Sequence, residues 1–261
     1  MPRRIMAYTW LSEGSQPVLA ADGVVVSSFP SAGLAATVAA HYMVKMLDLP
    51  RIGRFESPDP NPIAVIQRGE VNPPIRVYGR KDLGVVLSEF PPSGAQASAL
   101  ATAILEGAET RKARMIVCFE GVVPHPGVDE NPTDPDEQVW VAFSHKDPAL
   151  VKAFKPTAAR LLEDGVIGGV SGAMLVQGIG RSIPVAVLLV SARVSEGFPD
   201  HRAGATLIEA FDRLLPELKI DTGPLRVQAE QIERALRAAM RSHPRSTDRE
   251  TKPPTEPTMY L

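Results

Sequence analysis

The chain has 261 residues, of which 44% are hydrophobic and 22% are charged, and its formal net charge is -2. These values are typical of a globular protein with a sizeable core, and the lack of a basic block argues against a nucleic-acid or anionic-membrane partner. One cysteine cannot form an intramolecular disulfide, and neither residues 1–8 nor the apolar run 183–190 is long and apolar enough to predict a signal peptide or a membrane span. We therefore expect a cytoplasmic protein.

The predicted fold begins with a strand, a tight turn and a helix. Val24–Val26 is a β-branched run typical of a buried strand, and a turn of small residues follows it. In the helix that comes next, apolar residues recur at every fourth position: Leu34, Val38, Tyr42 and Met46. We expect this stripe to face a sheet, and the whole segment to form the first half of a βαβ unit.

Further strands and helices are predicted along the chain. Strands are expected at 51–55, 83–87, 115–119 and 139–143, and helices at 95–112, 148–154, from 168 or 170 to 177, at 200–215 and from 224 onward. Residues 63–66 and 71–78 flank Arg68–Glu70, which predicts a hairpin. Pro73 and Pro74 lie in the second arm of this hairpin, so we expect that arm at a sheet edge.

Two segments differ in composition from the rest. Residues 120–138 contain four prolines and a run of acids without a base, and a loop of this length is either functional or a solvated excursion. From residue 242 the chain is rich in proline and charge, which favours disorder, and its only apolar cluster is Met259–Leu261. We expect one α/β domain over residues 1–241 and a flexible tail over residues 242–261.

Known catalytic and nucleotide-binding motifs match this sequence poorly. The turn at residues 29–33 (FPSAG) lacks the lysine and the glycine run of a phosphate-binding loop, so we interpret it as a packing turn. Residues 169–173 (GVSGA) resemble a nucleophile elbow, but the second glycine is misplaced. No histidine has a second ligand at metal-binding spacing, and we predict neither a metal nor a cofactor.

Three acids remain as candidates for chemistry. Glu89 and Glu120 each follow a buried strand, at the carboxyl edge where α/β sheets bind ligands, and Asp164 opens a glycine-rich segment. Together with Gly33 of the first turn, they could line one crevice and serve as a metal or general-base site. Helix capping and hydrogen bonds to loop amides explain these acids at least as well, so both interpretations stay open.

Short motifs in a fixed order extend from the first strand to the last helix, over residues 24–240. They are FPSAGL at 29–34, SPD at 57–59, PPIRVY at 73–78, SE at 88–89, EGVVP at 120–124, EDGVIGGVSG at 163–172, FPD at 198–200 and IDT at 220–222. In order and spacing they resemble the proteasome assembly chaperone family, particularly its archaeal members, although Ser31 stands where that family commonly has glycine. The resemblance implies a three-layer αβα sandwich, similar to the nucleoside phosphorylase-like fold, and a homo-oligomer.

The resemblance also implies a role for the last three residues. Met259-Tyr260-Leu261 is similar to the hydrophobic–tyrosine–any-residue motif of proteasome activators and assembly chaperones, which inserts between neighbouring α subunits of the proteasome core particle. An apolar side chain and a ring can be buried there, while a hydroxyl and a terminal carboxylate find polar partners. The chain is therefore expected to be a non-enzymatic assembly chaperone or regulator that binds the α-subunit ring through Met259, Tyr260 and Leu261.

Two alternatives stay open beside this interpretation. The first is a small-molecule-binding or ligase- or hydrolase-like enzyme that uses the acidic crevice at Gly33, Glu89, Glu120 and Asp164. The second is an oligomeric scaffold of the same family that has lost contact with the proteasome.

Overall fold

In the computed structural model the described residues are 7–14, 19–57, 62–123, 138–194 and 198–242, with residues 236–242 described as backbone. The strands are β1 (Thr9–Ser12), β2 (Val24–Ser28), β3 (Arg51–Glu56), β4 (Val65–Gln67), β5 (Glu70–Asn72), β6 (Ile75–Gly79), β7 (Leu83–Ser88), β8 (Met115–Val122), β9 (Val139–Phe143), β10 (Arg160–Leu161) and β11 (Val185–Ser191). The helices are α1 (Ala35–Met46), α2 (Gly94–Thr110), α3 (Pro148–Phe154), α4 (Gly169–Gly178), α5 (His201–Leu214) and α6 (Gly223–Ser242).

One mixed sheet dominates the described part of the chain. Its strand order is β1-β3-β6-β7-β2-β8-β11-β9-β10, and β4 and β5 form a separate two-stranded ladder. The centre, β7-β2-β8-β11, is parallel, and every residue of β2, β7 and β11 is buried. Helices cover both faces of this centre, with α1 and α5 on one face and α2 and α4 on the other. The predicted α/β class with helices on both sides of a central sheet is confirmed.

The first strand–turn–helix forms as predicted, but its helix buries a different face. The buried side chains of α1 are Ala35, Ala36, Ala39, Ala40 and Met43. Leu34 and Met46 are each 42% exposed, so the prediction that their stripe faces the sheet is wrong. Alanine side chains let the helix backbone approach the sheet closely. Val38 packs on α5 instead, where a Cβ on Gly204 would lie 2.7 Å from its Cγ1.

The predicted hairpin is present, but its second arm ends at the two prolines. β4 pairs with β5 in antiparallel fashion around Arg68 and Gly69. After Pro73 and Pro74 the chain enters β6, which lies inside the large sheet between β3 and β7. The expectation of an edge strand is therefore wrong. Because proline has no N–H to donate, the pair marks the point where the chain passes from one sheet to the other.

Local capping chemistry fixes where several helices begin. Ser93 and Gln96 form a capping box at α2, and the Asp147 carboxylate accepts the amide of Ala149 at 2.8 Å at the start of α3. The carboxylate of Asp200 caps the start of α5 in the same way. None of the helices within the described ranges is long and apolar enough to cross a membrane.

Candidate functional site

The carboxyl ends of β2, β7, β8 and β11 meet at one edge of the sheet, where the direction of the chain across the sheet reverses. After β2 the chain passes through α1 to the strands on one side of it. From β7 it returns through α2, on the opposite face, to β8 on the other side of β2. Such a reversal is the position at which open α/β sheets bind ligands in a crevice. The candidate site consists of residues at this edge.

Glu120 of β8 and Ser171 of α4 form a hydrogen-bonded pair at this edge. The hydroxyl Oγ of Ser171 donates to Oε2 of Glu120 over 2.7 Å. Burial raises the pKa of Glu120 to about 7, and the hydrogen bond from Ser171 offsets only part of this effect. Burial also raises the pKa of the Cys118 thiol, which lies beside the pair on β8. A carboxyl group with the pKa of Glu120 can gain or lose a proton at neutral pH.

A cavity of about 260 Å³ opens beside this pair. Glu120 and Ser171 are its polar side chains, and the start of α4 contributes residues 168–171 to the lining. The apolar residues of the lining are Phe29, Pro30, Pro91, Pro92, Val122, Val166, Ile167, Val170 and Leu189. Gly172 permits the sharp entry into α4, since a Cβ there would lie 2.1 Å from the carbonyl oxygen of Ile167. This close approach explains why the segment has a glycine directly after Ser171.

Gly33 does not line the cavity and packs through its backbone against the segment before α5. Its φ of +59° is in the left-handed region, and a Cβ there would lie 2.6 Å from the carbonyl oxygen of Arg193. The carbonyl oxygen of Gly33 accepts the amide of Asp200 over 2.7 Å. Ser31 also binds the turn to β8, because its Oγ accepts the amide of Gly121 over 2.9 Å. The turn at residues 29–33 therefore joins β2, β8 and the segment before α5.

Glu89 lies on the opposite face of the sheet from Glu120. Its carboxylate is 3.0 Å from Nε2 of His41 on α1 and is bound by the guanidinium of Arg76. Arg76 is completely buried and also donates to the Tyr78 hydroxyl over 3.1 Å and to the carbonyl of Pro73 over 2.9 Å. Burial would raise the pKa of Glu89, but the hydrogen bonds from His41 and Arg76 outweigh it and lower that pKa.

The four residues proposed for an acidic crevice are thus not assembled into one site. Glu120 lines the cavity, Glu89 belongs to the ion-pair network under α1, Gly33 packs through its backbone, and Asp164 is exposed on the loop before α4. Within the described ranges, no group of three or more His, Cys, Asp or Glu side chains is arranged to hold a metal ion. Met259, Tyr260 and Leu261 lie outside the described residues, as does the proline-containing segment 124–137, and the docking motif stays a prediction.

Two important residues were not among the sequence candidates. The glycine pattern around Ser171 does not fit a nucleophile elbow, and its partner Glu120 is 51 positions away in the sequence, so no local motif points to this pair. For Arg76 the sequence does hold a signal, which is a charged residue inside the otherwise apolar strand β6. Because arginine is rarely buried without a partner, this position predicts a buried ion pair.

Comparison with known proteins places the chain among relatives of similar length. The model of the PAC2 family matches residues 25–240. A protein of Methanocaldococcus jannaschii, itself described as uncharacterized, is 26% identical over 220 residues, which make up 84% of this chain and 86% of that protein.

Two solved structures from Pyrococcus furiosus have the same fold. PbaA, described as an archaeal homolog of proteasome-assembly chaperone, superposes with a TM-score of 0.76 and 22% identity over 90% of this chain and 92% of its own. PbaB, described as an archaeal proteasome activator, superposes with a TM-score of 0.71 and 22% identity over 89% of this chain and 98% of its own.

Proposed function

The chain belongs to the PAC2 family, and we propose that it is an assembly chaperone or regulator of the proteasome core particle. The family match over residues 25–240 confirms the family resemblance that its motifs predict. The observation that carries the functional proposal is the family match over residues 25–240, together with a fold shared with PbaA and PbaB over about nine tenths of the chain. PbaA is described as a homolog of a proteasome-assembly chaperone, and PbaB is described as a proteasome activator.

The proposed contact with the α-subunit ring is made by Met259-Tyr260-Leu261. A methionine and a tyrosine ring can be buried between neighbouring subunits, the tyrosine hydroxyl can hydrogen-bond, and a carboxylate can pair with a lysine. Residues 243–258 would then act as the tether between the body and this segment. If they were extended like polyproline, 16 residues at about 3.1 Å each would reach roughly 50 Å.

The helix that precedes the tether is held firmly on the body, which supports this arrangement. Leu225 and Ala229 of α6 are buried. The guanidinium of Arg226 is bound to Glu209 of α5 over 2.6 Å. Two turns further along α6, Oε1 of Glu233 lies 3.1 Å from Nε of Arg202 on α5. The first part of α6, up to Glu233, is thus held against α5, and the proposed tether begins beyond the end of this helix.

We propose that the body is a homo-oligomer that presents several docking segments together. Once one segment is bound, the others meet the ring at an effective concentration set by the tether length, so several weak contacts combine into a stable complex. This is also a reason for the tether to be long, because each segment must span the spacing between pockets.

The proposal is tested by co-sedimentation of the full chain with recombinant proteasome α-subunit rings. The test variant lacks residues 259–261, and the matched control lacks residues 251–253, which shortens the tail equally but keeps the docking segment. Tyr260→Ala and Tyr260→Phe separate the contribution of the ring from that of the hydroxyl. We expect the 259–261 deletion and Tyr260→Ala to weaken binding at least about tenfold, which corresponds to about 1.4 kcal/mol.

The outcomes separate the two levels of the proposal. Binding that is lost with 259–261 and retained by the 251–253 control supports the docking segment. Equal binding of all variants would refute the docking segment while leaving the family function in place. A full chain that neither binds rings nor changes their assembly would refute the proteasome function itself.

A further inference from the structure

The cavity beside Glu120 and Ser171 has no part in the proposed docking, and its chemistry fits a ligand. It lies on the face covered by α2 and α4, at the carboxyl edge where the direction of the chain reverses. Its volume of about 260 Å³ is below the roughly 300–1,000 Å³ typical of sites for drug-sized molecules. A molecule of metabolite size therefore suits it.

Glu120 provides the one acidic group of this cavity and has an unused oxygen. Oε2 accepts the hydroxyl of Ser171, whereas Oε1 makes no hydrogen bond to any residue in the described part of the chain. The lining comes from residues 29–30 and 91–92, from β8 and β11, and from residues 166–171 at the start of α4. It contains no lysine, arginine or histidine and no second carboxyl. The thiol of Cys118 is the other titratable group in contact with the pair, and burial raises its pKa.

This charge pattern selects the class of ligand. The carboxylate form of Glu120 is penalised by burial, and no cation of the lining relieves the penalty. A phosphate or another multiply charged anion would add to the penalty, because the lining offers it no basic partner. A ligand that carries a positive charge would remove the penalty by pairing with Oε1. The surrounding proline, phenylalanine and leucine side chains favour an apolar body on the same molecule.

The start of α4 adds backbone hydrogen-bond donors next to the carboxylate. Its first turn lines the cavity, and no side chain caps its N-terminus. The free amides there can receive a carbonyl or a carboxylate group of a ligand. A ligand could thus place a charged amine on Glu120 and a carboxylate on the amides of α4. These two ligand groups would lie close to each other, as they do in an α-amino acid.

We propose that the cavity binds a small aliphatic ammonium compound, with its ammonium group on Glu120 and its hydrocarbon body against Phe29, Pro91 and Leu189. Both aliphatic amines and aliphatic α-amino acids have this chemistry. The α-amino acid would in addition place its carboxylate on the amides of α4.

Three probes of equal hydrocarbon shape test the proposal by isothermal titration calorimetry on the full chain. L-leucine carries both charged groups, 3-methylbutylamine lacks the carboxylate, and 4-methylpentanoate lacks the amine. We expect both amines to bind at least about tenfold more tightly than 4-methylpentanoate. Tighter binding of L-leucine than of 3-methylbutylamine identifies the amino acid as the source, and equal binding identifies the amine.

Two variants locate the binding. Glu120→Gln keeps the shape and the acceptor for Ser171 but cannot ionise, and we expect it to lose at least about tenfold in affinity for the amines. Asp164→Asn is the matched control, because it removes an exposed carboxylate from the loop leading to α4 and should bind like the unaltered chain. Thermal melting of both variants checks that the fold is retained.

The pH dependence gives an independent readout. With a pKa of about 7 for Glu120, its ionised fraction rises about tenfold between pH 6 and pH 8, and the affinity for the amines should rise with it. The proposal is overturned if none of the amines binds, if 4-methylpentanoate binds as tightly as they do, or if folded Glu120→Gln retains full affinity.

Discussion

Glu120→Gln should stabilise the protein at alkaline pH, although it removes a charged group from a structured site. In the folded chain burial raises the pKa of Glu120 from 4.5 to about 7, while in the unfolded chain the group has its ordinary value. Between these two pH values the folded chain retains a proton that the unfolded chain has released. The free energy of unfolding therefore falls as the pH rises through this window, and the loss is complete above about pH 7.

The magnitude follows from the size of the change in pKa. Each pKa unit corresponds to about 1.4 kcal/mol, so a rise from 4.5 to about 7 costs the folded state about 3 kcal/mol once Glu120 is ionised. Glutamine has a similar shape, accepts the Ser171 hydroxyl and does not ionise. At pH 8 the variant should be more stable than the unaltered chain by about 2–3 kcal/mol, and at pH 4.5 or below the two should be nearly equal.

Urea unfolding at pH 4.5, 6 and 8, followed by circular dichroism at one protein concentration, measures this difference. Glu209→Gln is a control of opposite sign: burial would raise the pKa of Glu209, but its hydrogen bonds with Arg226 and Thr222 outweigh burial and lower that pKa. The ionised form of Glu209 therefore stabilises the fold, and its variant should be less stable than the unaltered chain at pH 8. A Glu120→Gln effect that is the same at pH 4.5 and pH 8 would refute the argument from burial.

The other predictions concern stability and are measured by the same urea unfolding. Glu89→Ala should cost about 3 kcal/mol or more, because it leaves the completely buried guanidinium of Arg76 without its charge partner; a cost below about 1 kcal/mol would contradict the network. Gly33→Ala combines a left-handed φ with a clash of 2.6 Å and should cost clearly more than Gly180→Ala, which has a similar φ but open space around it and should cost about 1 kcal/mol. Tyr42→Phe should cost about 0.5–1.5 kcal/mol, because it removes a hydrogen bond of 2.7 Å to a carbonyl between α5 and α6; no change would show that water replaces this bond.

The sequence predicted the elements of this fold better than the faces they bury. A parallel strand covered on both faces consists almost entirely of hydrophobic residues. Continuous runs such as Val24–Val26 therefore predict the positions of β2, β7 and β8 directly. In α1 the large apolar residues at every fourth position predict the wrong buried face, because four alanines and Met43 face the core instead. The choice between these faces depends on the distance between helix and sheet, which is a tertiary property.

The site was predictable at the level of strands but not of faces. The rule that ligand sites lie at carboxyl ends of parallel strands correctly drew attention to Glu89 and Glu120. Both lie at that edge, but Glu89 contacts His41 of α1 and Glu120 contacts Ser171 of α4, on opposite faces of the sheet. Successive side chains of a strand point to alternate faces, so a position at the end of a strand does not by itself identify the face. Only the fold brings Ser171 to Glu120 and Arg76 to Glu89. The first pair is 51 positions apart in the sequence, and the second pair is 13 positions apart and connects neighbouring strands.

Photo-cross-linking from position 260 tests the central proposal most directly. Tyr260→benzoylphenylalanine keeps an aromatic ring at the docking segment, and the same substitution at Asp164, an exposed position on the body, is the control. After irradiation with assembled α-subunit rings, mass spectrometry identifies the residues that are joined. The proposal predicts cross-links from position 260 to residues at the boundary between neighbouring α subunits, and far fewer from position 164. Cross-links to the rings from position 164 but not from position 260 would contradict it.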